Sequence, residues 1–398
     1  MRDPNGFLES EYRELVEKAL DWRMKTIQGP SEPFAKVDGR DVLILCSNNY
    51  LGLTTHPKLK QAAIDSVEKY GVGSGAVRAI SGTMDLHMEL EKRLARFKGA
   101  ESSLTYPTGF QANSGLIPQL VGDEDLIISD ELNHGSIIDG VRLAKGDRVV
   151  YKHNDMTDLS RVLDEAEKHT PPFRRMLIIT DGVFSMDGDI APLDVVAKLG
   201  AEHGAMVYVD DAHGEGVLGD KGRGIVSHYH LDHKKVQVEM GTFSKAYGTV
   251  GGHISGSEYL AKFALNKSRT WLLSSSHPPS VVASTIAAID VLEKEPQHVQ
   301  NLWKNTRYFK KAVEELGFDT GKSQTPIIPI IVGDSHKAKV LADKLYKNGV
   351  FVVPIVFPMV AKDKSRIRVQ MSAKLTREQL DAVISKLEAI GKELKIII

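Results

Sequence analysis

Residues 240–252 read MGTFSKAYGTVGG, and this segment decides how the rest of the chain is interpreted. Lys245 follows an apolar, strand-like run and small hydroxyl residues, and glycines come directly after it. Small neighbours let a flat ring approach the lysine, and hydroxyl and backbone N–H groups beside it can hold a phosphate. Burial would lower the pKa of Lys245, so that its neutral amine can form an imine. A surface lysine in a glycine-rich turn is the alternative for this segment taken alone.

Short apolar runs alternate with helical spacings through the middle of the chain. These runs lie at 102–106, 125–129, 147–151, 176–180, 205–209 and 236–240. Such an alternation predicts an α/β fold in which helices cover both faces of a mainly parallel sheet. Ligand sites in sheets of this kind lie at the carboxyl ends of the strands.

Polar, glycine-containing loops follow five of these runs. They contain Thr108-Gly109, Asp130 with His134, Asp181, Asp210-Asp211 and Lys245. His134 could be an ordinary residue at a helix start, and Asp210 and Asp211 could simply cap the next element. Because the carboxyl ends of parallel strands meet at one edge of the sheet, the recurrence of these loops favours one shared site.

The pattern outside the sheet predicts three parts. Residues 1–56 form an N-terminal segment with an amphipathic helix at 7–27 and a linker. Residues 57–295 form a large domain that carries the site. Residues 296–398 form a smaller α+β domain with strands at 327–332, 351–356 and 366–371.

Composition excludes several classes of protein. The 398 residues are 42% hydrophobic and 26% charged, as in ordinary globular enzymes, and the formal net charge of −1 offers no basic field for nucleic acid or an anionic membrane. The single cysteine, Cys46, excludes an internal disulfide framework and a multi-cysteine metal site. No apolar stretch approaches the roughly 18 residues of a membrane span. We therefore expect a soluble cytoplasmic protein without a metal site.

The side chains at the strand ends suit pyridoxal 5′-phosphate (PLP). Lys245 can form an imine with the aldehyde, and an aspartate at another strand end can keep the pyridine nitrogen protonated. A histidine can stack on the ring, and loops of Gly, Ser and Thr can hold the phosphate. A protonated pyridine ring is an electron sink for a carbanion, which predicts chemistry at the α-carbon of an amino acid.

Seven motifs resemble those of the α-oxoamine synthases, a family of PLP enzymes with the aspartate-aminotransferase fold, type I. They are SNNYLGL (47–53), TGFQAN (108–113), NHGSIID (133–139), TDGVFSMDG (180–188), VDDAHG (209–214), GTFSK (241–245) and RIRVQ (366–370). They occur in the family's order over nearly the whole chain, so the sequence is identified as a member. The resemblance implies a large, mainly parallel seven-stranded sheet domain, a smaller α+β domain, and a homodimer with shared active sites.

The resemblance also implies the residues around the cofactor ring. Lys245 would form the internal aldimine, and Asp210 would pair with the pyridine nitrogen. His213 would hydrogen-bond the phenolic oxygen with Ser185 nearby, and His134 would stack on the ring.

Other positions are implied to hold the phosphate and the amino acid. Thr242 and the backbone of Gly109 and Phe110 would bind the phosphate. Ser274 and Ser275 would reach the phosphate of the neighbouring subunit. The carboxylate of the amino acid would be held bidentately by Arg368, helped by Asn49. The run Lys374-Leu375-Thr376 departs from the family, which often has Ala-His-Thr there.

The reaction implied by the resemblance joins an amino acid to an acyl-CoA and releases coenzyme A. The segment RIRVQMSA (366–373) favours glycine C-acetyltransferase, an enzyme of threonine degradation that uses glycine and acetyl-CoA, and this is the expected activity. The segment GTFSKA (241–246) is closer to 8-amino-7-oxononanoate synthase, which uses L-alanine and pimeloyl-CoA, and to serine palmitoyltransferase. A fold-type-I aminotransferase would use the same lysine and aspartate without coenzyme A. A non-catalytic protein is disfavoured because the lysine, the aspartate and the phosphate loops are all present.

Overall fold

The computed structural model describes residues 4–18, 20–22 and 24–398. The helices of this part are α1 (Gly6–Glu17), α2 (Pro57–Tyr70), α3 (Asp85–Lys98), α4 (Gly109–Leu120), α5 (Gly135–Leu143), α6 (Met156–Glu167), α7 (Leu193–Glu202), α8 (Ile225–His228), α9 (Glu258–Lys267), α10 (Arg269–Leu272), α11 (Pro279–Lys294), α12 (Gln297–Glu315), α13 (Ser335–Lys347) and α14 (Arg377–Glu393). The strands are β1 (Ile27–Gln28), β2 (Phe34–Val37), β3 (Arg40–Ile44), β4 (Ser102–Tyr106), β5 (Asp125–Asp130), β6 (Asp147–Tyr151), β7 (Arg175–Asp181), β8 (Met206–Asp210), β9 (Val238–Thr242), β10 (Gly252–Gly256), β11 (Ile327–Gly333), β12 (Val350–Phe351), β13 (Pro354–Ile355) and β14 (Ser365–Gln370).

A seven-stranded sheet forms the centre of the large domain. Its strand order is β4-β10-β9-β8-β7-β5-β6, and the pairs from β9 to β6 are parallel. Only β10 within this sheet, as described, runs antiparallel to both of its neighbours, β4 and β9. Strands such as β5, β8 and β9 are buried almost throughout, as expected for a sheet covered on both faces. The predicted α/β fold with a mainly parallel sheet is confirmed.

Two smaller sheets join the ends of the chain. The N-terminal strands β1, β2 and β3 share a sheet with β12, which pairs in parallel with β3. Strands β11, β14 and β13 form an antiparallel sheet on which α13 packs, and α14 packs against α12 and α13. The C-terminal part therefore packs with the N-terminal strands, while the boundaries at 56 and 295 stay predictions.

Two local predictions were wrong, and one strand was not predicted. Helix α1 ends at Glu17 rather than near residue 27, and β1 occupies the end of the predicted range; Ala19 and Arg23 of that range lie outside the described residues. The predicted strand 351–356 is divided into β12 and β13, because β12 pairs with β3 in one sheet and β13 pairs with β14 in another. Strand β10 was not predicted, because its sequence GHISG contains two glycines and lacks a continuous apolar run.

No helix in the described ranges is both long enough and apolar enough to cross a membrane.

Candidate active site

A cavity of about 240 Å³ opens at the carboxyl ends of the central strands. Eight of the twelve predicted site residues line it: Gly109, Phe110, His134, Ser185, Asp210, His213, Thr242 and Lys245. They come from five loops that lie between residues 108 and 245, and the parallel register of the sheet brings those loops to one edge. The site therefore lies where the sequence pattern predicts it.

Lys245 lies in the loop after β9, and the surrounding protein disfavours its charged form. Burial lowers the pKa of the Lys245 amine from 10.5 to about 8, although the carboxylates of Asp210 and Asp181 act in the opposite direction. The guanidinium of Arg368 adds to the lowering. Roughly a tenth of the amine is therefore unprotonated near pH 7, far more than for an ordinary lysine, and this neutral form is the one that forms an imine.

A chain of hydrogen bonds fixes Asp210 at the end of β8. Its Oδ2 accepts from Asn113 Nδ2 at 2.6 Å, and its Oδ1 accepts from the backbone N–H of Ala212 at 3.0 Å. Asn113 is fixed in turn, because its Oδ1 accepts a 2.8 Å hydrogen bond from the hydroxyl of Tyr208. These two donors fix the orientation of the Asp210 carboxyl group, so that it can accept from a protonated group in the cavity.

The same chain also orients His134. Asn113 Nδ2 donates to Ser136 Oγ at 2.8 Å, and Ser136 Oγ lies 2.7 Å from His134 Nδ1. The backbone N–H of Ser136 points at the same ring nitrogen at 3.3 Å, so Nδ1 is an acceptor and the proton of a neutral ring lies on Nε2. Burial lowers the pKa of His134, which keeps the ring neutral.

His213 is buried and is held by a residue far away in the sequence. Its Nδ1 lies 2.8 Å from the hydroxyl of Tyr50, in the loop after β3. Burial, with the charges of Lys245 and Arg368, lowers the pKa of His213 well below its usual value. The ring is therefore neutral near pH 7 and can offer one N–H group to the cavity.

The start of α4 forms the opposite end of the cavity. Thr108 caps this helix by accepting from the backbone N–H of Gln111 at 3.1 Å. A Cβ on Gly109 would lie 2.9 Å from Met240 Cε and 3.2 Å from Thr242 Cβ, so this helix start packs closely against β9. Thr242 Oγ1 and Ser244 Oγ lie 2.9 Å apart on the facing loop. Hydroxyl groups and the first N–H groups of a helix make a site for a phosphate.

The structure does not place the other four predicted residues on the wall of this cavity. Arg368 donates to the carbonyl of Ser185 at 3.0 Å, which holds its guanidinium beside the loop of Ser185. Asn49 is engaged elsewhere, because its Nδ2 donates to Ser31 O and Thr54 Oγ1. Its predicted help to Arg368 stays untested.

Ser274 and Ser275 lie next to α4 rather than inside the cavity of their own chain. Ser274 Oγ accepts from Gln111 Nε2 at 3.0 Å, and Ser275 forms a β-bridge with Val77. Lys374, at the departure from the family motif, pairs with Glu32 at 2.7 Å and donates to Thr55 Oγ1. It therefore joins the C-terminal part to the N-terminal segment.

Four polar residues of the cavity wall were missed as site residues: Thr108, Ser136, Asp181 and Ser244. Asp181 is the register partner of Asp210 in the neighbouring strand, and its Oδ2 accepts from the N–H of His134 at 3.0 Å. Burial and the charge of Asp210 raise the pKa of Asp181 well above its usual value. Its position after β7 was the signal that could have identified it.

The arrangement fits PLP. A lysine with a lowered pKa, a buried carboxylate with two donors, and a helix start facing two hydroxyls stand around one cavity. These are the groups that an aldehyde, a pyridine nitrogen and a phosphate each require.

Comparison with known proteins identifies the family. The model for aminotransferase class I and II matches residues 40–387. The chain belongs to this family. An 8-amino-7-oxononanoate synthase from Symbiobacterium thermophilum is 51% identical over 391 residues, which cover 98% of this chain and 99% of that protein.

Solved structures agree with this assignment. A serine palmitoyltransferase from S. paucimobilis with bound PLP and myriocin covers all of both chains with a TM-score of 0.92 and 30% identity. An 8-amino-7-oxononanoate synthase from Francisella tularensis covers 89% of this chain and 98% of its own, with a TM-score of 0.77 and 27% identity. The protein is thus a PLP-dependent acyltransferase of the α-oxoamine synthase group, with fold type I. The predicted family, enzyme class and cofactor are confirmed.

The expected activity, glycine C-acetyltransferase, was wrong, because the relative at 51% identity is an 8-amino-7-oxononanoate synthase. The segment 366–373 had favoured that activity, but packing constrains most of this segment. Ile367, Val369 and Met371 are fully buried, and Arg366 pairs with Asp187 at 2.6 Å. Similarity in this segment therefore reflects how the core of the C-terminal part is packed, and it does not indicate which substrate the enzyme uses.

Proposed function

We propose that the protein is an 8-amino-7-oxononanoate synthase that condenses L-alanine with pimeloyl-CoA and releases coenzyme A and CO2. The convergence of Lys245, Asp210, His134 and His213 in one cavity carries the PLP-dependent part of this proposal. The choice of substrates rests on the identity with the Symbiobacterium thermophilum protein over the whole chain. A cytoplasmic location stays a prediction.

Each residue of the cavity has a separate proposed role toward the cofactor or the substrate. Bound PLP supplies an electron sink for the carbanion formed at the amino-acid α-carbon. The Asp210 carboxylate would hold a proton on the pyridine nitrogen, and His213 would donate its remaining N–H to the ring hydroxyl. The Lys245 amine, unprotonated as its lowered pKa allows, would take the proton from the α-carbon.

The remaining groups would position the ligands. The first N–H groups of α4, with Thr242 and Ser244, would bind the phosphate. Arg368 has donors left after its hydrogen bond to Ser185, and these would hold the carboxylate of the amino acid. Arg368→Lys should therefore raise KM for the amino acid by about tenfold or more, because a bidentate contact becomes a single one. An unchanged KM would place the carboxylate elsewhere.

A homodimer is part of the proposal. Ile80, Phe110 and Leu273 are exposed by 84%, 49% and 70%, and the contacts of Ser274 and Ser275 bring their segments together beside the cavity. Such an apolar patch at a cavity mouth suits a protein interface. A double change of Ser274 and Ser275 to alanine should weaken PLP binding if these serines reach the partner's phosphate. Unchanged PLP affinity would exclude that role.

Serine palmitoyltransferase is the second candidate, because its structures superpose with a TM-score of 0.92 against 0.77 for the Francisella tularensis protein. Release of coenzyme A should be measured with L-alanine, glycine or L-serine against acetyl-, pimeloyl- and palmitoyl-CoA. We expect the fastest turnover with L-alanine and pimeloyl-CoA. Faster turnover with L-serine and palmitoyl-CoA would establish the second candidate, and any other best pair would refute both.

Asp210→Asn tests the assignment of the carboxylate. PLP should stay bound, while turnover falls by at least about 100-fold because the pyridine nitrogen loses the partner of its proton. Absorbance of the bound cofactor and steady-state kinetics measure the two effects separately. Near-normal turnover would show that Asp210 does not have this role.

A further inference from the structure

A buried cluster of charges lies behind the active site, around the last residue of α3. Lys98 Nζ lies 2.6 Å from Glu239 Oε1, 2.9 Å from Glu215 Oε1 and 3.5 Å from Asp211 Oδ2. All four side chains are at most 1% exposed. None of the four lines the cavity, so the reaction does not use them directly.

Two histidines and a tyrosine complete the surroundings of this cluster. His253 Nε2, on β10, lies 2.8 Å from Glu215 Oε1, and His233 Nε2 lies 3.0 Å from Glu239 Oε2. The buried Tyr247 hydroxyl also faces the charges of the cluster. Isolated buried carboxylates are costly, so Lys98 provides the charge that allows two of them to stay ionised side by side.

The protonation states follow from these contacts. The pKa of Glu215 is lowered to about 2 and that of Glu239 is also lowered, because His253, His233 and Lys98 outweigh the effect of burial. Burial and the two glutamates raise the pKa of Asp211 well above its usual value. Glu215 and Glu239 are therefore the more acidic of the three groups, and Lys98 is their counter-charge.

The three acidic residues belong to the segments that carry the catalytic groups. Asp211 follows Asp210 directly, and Glu215 lies two residues after His213. Glu239 lies on β9, the strand that leads to Lys245.

The packing around the cluster leaves little freedom. A Cβ on Gly241 would lie 2.1 Å from Glu215 Oε2, and a Cβ on Gly224 would lie 1.7 Å from Asp211 Oδ2. Both acidic side chains therefore pack directly against backbone, that of Glu215 at β9 and that of Asp211 at the start of α8.

We propose that Lys98 is a positioning residue of the active site: it joins the loop of Asp210 and His213 to the strand of Lys245 through Glu215 and Glu239. Lys98 lies outside the cavity and acts only through these carboxylates. The inference rests on the proposed roles of Lys245 and His213 and is independent of which acyl-CoA is used.

Lys98→Met in the PLP-loaded enzyme tests this proposal, with Lys198→Met as a matched control. Lys198 lies on α7, and its side chain is 72% exposed. We expect Lys98→Met to raise the dissociation constant of PLP by about tenfold or more, because two buried carboxylates lose their counter-charge. The pH midpoint of the absorbance of PLP bound at Lys245 should rise, because the site gains net negative charge. Lys198→Met should change neither quantity.

A charge-balanced variant separates positioning from a general loss of stability. Lys98→Met combined with Glu239→Gln removes one charge of each sign, and should return the pH midpoint towards that of the wild type. A dissociation constant and midpoint unchanged in Lys98→Met would overturn the proposal. The proposal would also be overturned if the double variant regained the wild-type unfolding midpoint in urea but not the wild-type pH midpoint of the cofactor absorbance. Lys98 would then only stabilise the fold.

If Lys98→Met does not fold, the single change Glu239→Gln still tests whether Lys98 positions the active site. This variant keeps Lys98 and removes one negative charge, so the cofactor midpoint should fall, opposite to the effect of Lys98→Met. An unchanged midpoint would refute the inference. Wild-type enzyme that fails to bind PLP at Lys245 would instead refute the proposed function, so the two failures are distinguishable.

Discussion

Lys245→Met should make the cofactor-free protein more stable at pH 7 while it abolishes turnover. Burial lowers the pKa of the Lys245 amine from 10.5 to about 8, so the folded protein resists the proton that the unfolded chain binds readily. Methionine has a similar length and carries no charge. Removing the amine therefore removes a cost of folding.

The pKa values set the magnitude and the pH window. A difference between 10.5 and about 8, at about 1.4 kcal/mol for each pH unit, corresponds to at most about 3.5 kcal/mol. Because the cavity admits water, we expect about 1–3 kcal/mol in free energy of unfolding. The cost is fully present below about pH 8, where both states are protonated, and disappears as pH rises towards 10.5. The advantage of Lys245→Met should disappear over the same range.

Urea unfolding of the two PLP-free proteins at pH 7 and at pH 10 measures this effect. Taking the difference in free energy of unfolding between the two proteins at each pH removes the contribution of all other titrating groups. A variant that is no more stable than the wild type at pH 7, or an advantage of equal size at both pH values, would show that Lys245 is not desolvated. The site would then lack the neutral amine on which the proposed chemistry depends.

Two further predictions concern residues that support the site. Tyr50→Phe should lower the free energy of unfolding by about 1–3 kcal/mol, because buried His213 loses a 2.8 Å hydrogen bond. Tyr247→Phe removes a buried hydroxyl without a partner among the described residues, so it should lower the free energy of unfolding by less. Equal losses of stability in the two variants would contradict the hydrogen bond between Tyr50 and His213. Gly251→Ala should cost at least about 1 kcal/mol more than Gly71→Ala in urea unfolding, because both have positive φ but a side chain has open space only at residue 71. Equal costs would show that the neighbours of Gly251 can move.

Much of the fold was predictable because the pattern is local. Strands β4, β5 and β7 and helices such as α2 and α11 follow from apolar periodicity and from proline or glycine at their ends. Strand β10 was not predictable in this way. Its residues are held by antiparallel partners on both sides, and those partners come from distant parts of the chain.

The substrate was the least predictable property. The segment 366–373 resembles one activity because its alternate side chains fill the core and Arg366 pairs with Asp187. Residues under packing constraints vary little with substrate, so a short motif there indicates the family and not the activity. Comparison over the whole chain was needed to choose 8-amino-7-oxononanoate synthase.

The sequence by itself determined which loops meet, because parallel strands bring their carboxyl ends to one edge and those loops carry Lys245, Asp210 and His134. Only the tertiary structure decided the charge and orientation of these groups. The bond between Tyr50 and His213 spans 163 residues of chain, and the lowered pKa of Lys245 arises from burial that only the assembled fold provides. Electrostatic free energies depend on the distances between charges and on their access to solvent, and the sequence alone gives neither quantity.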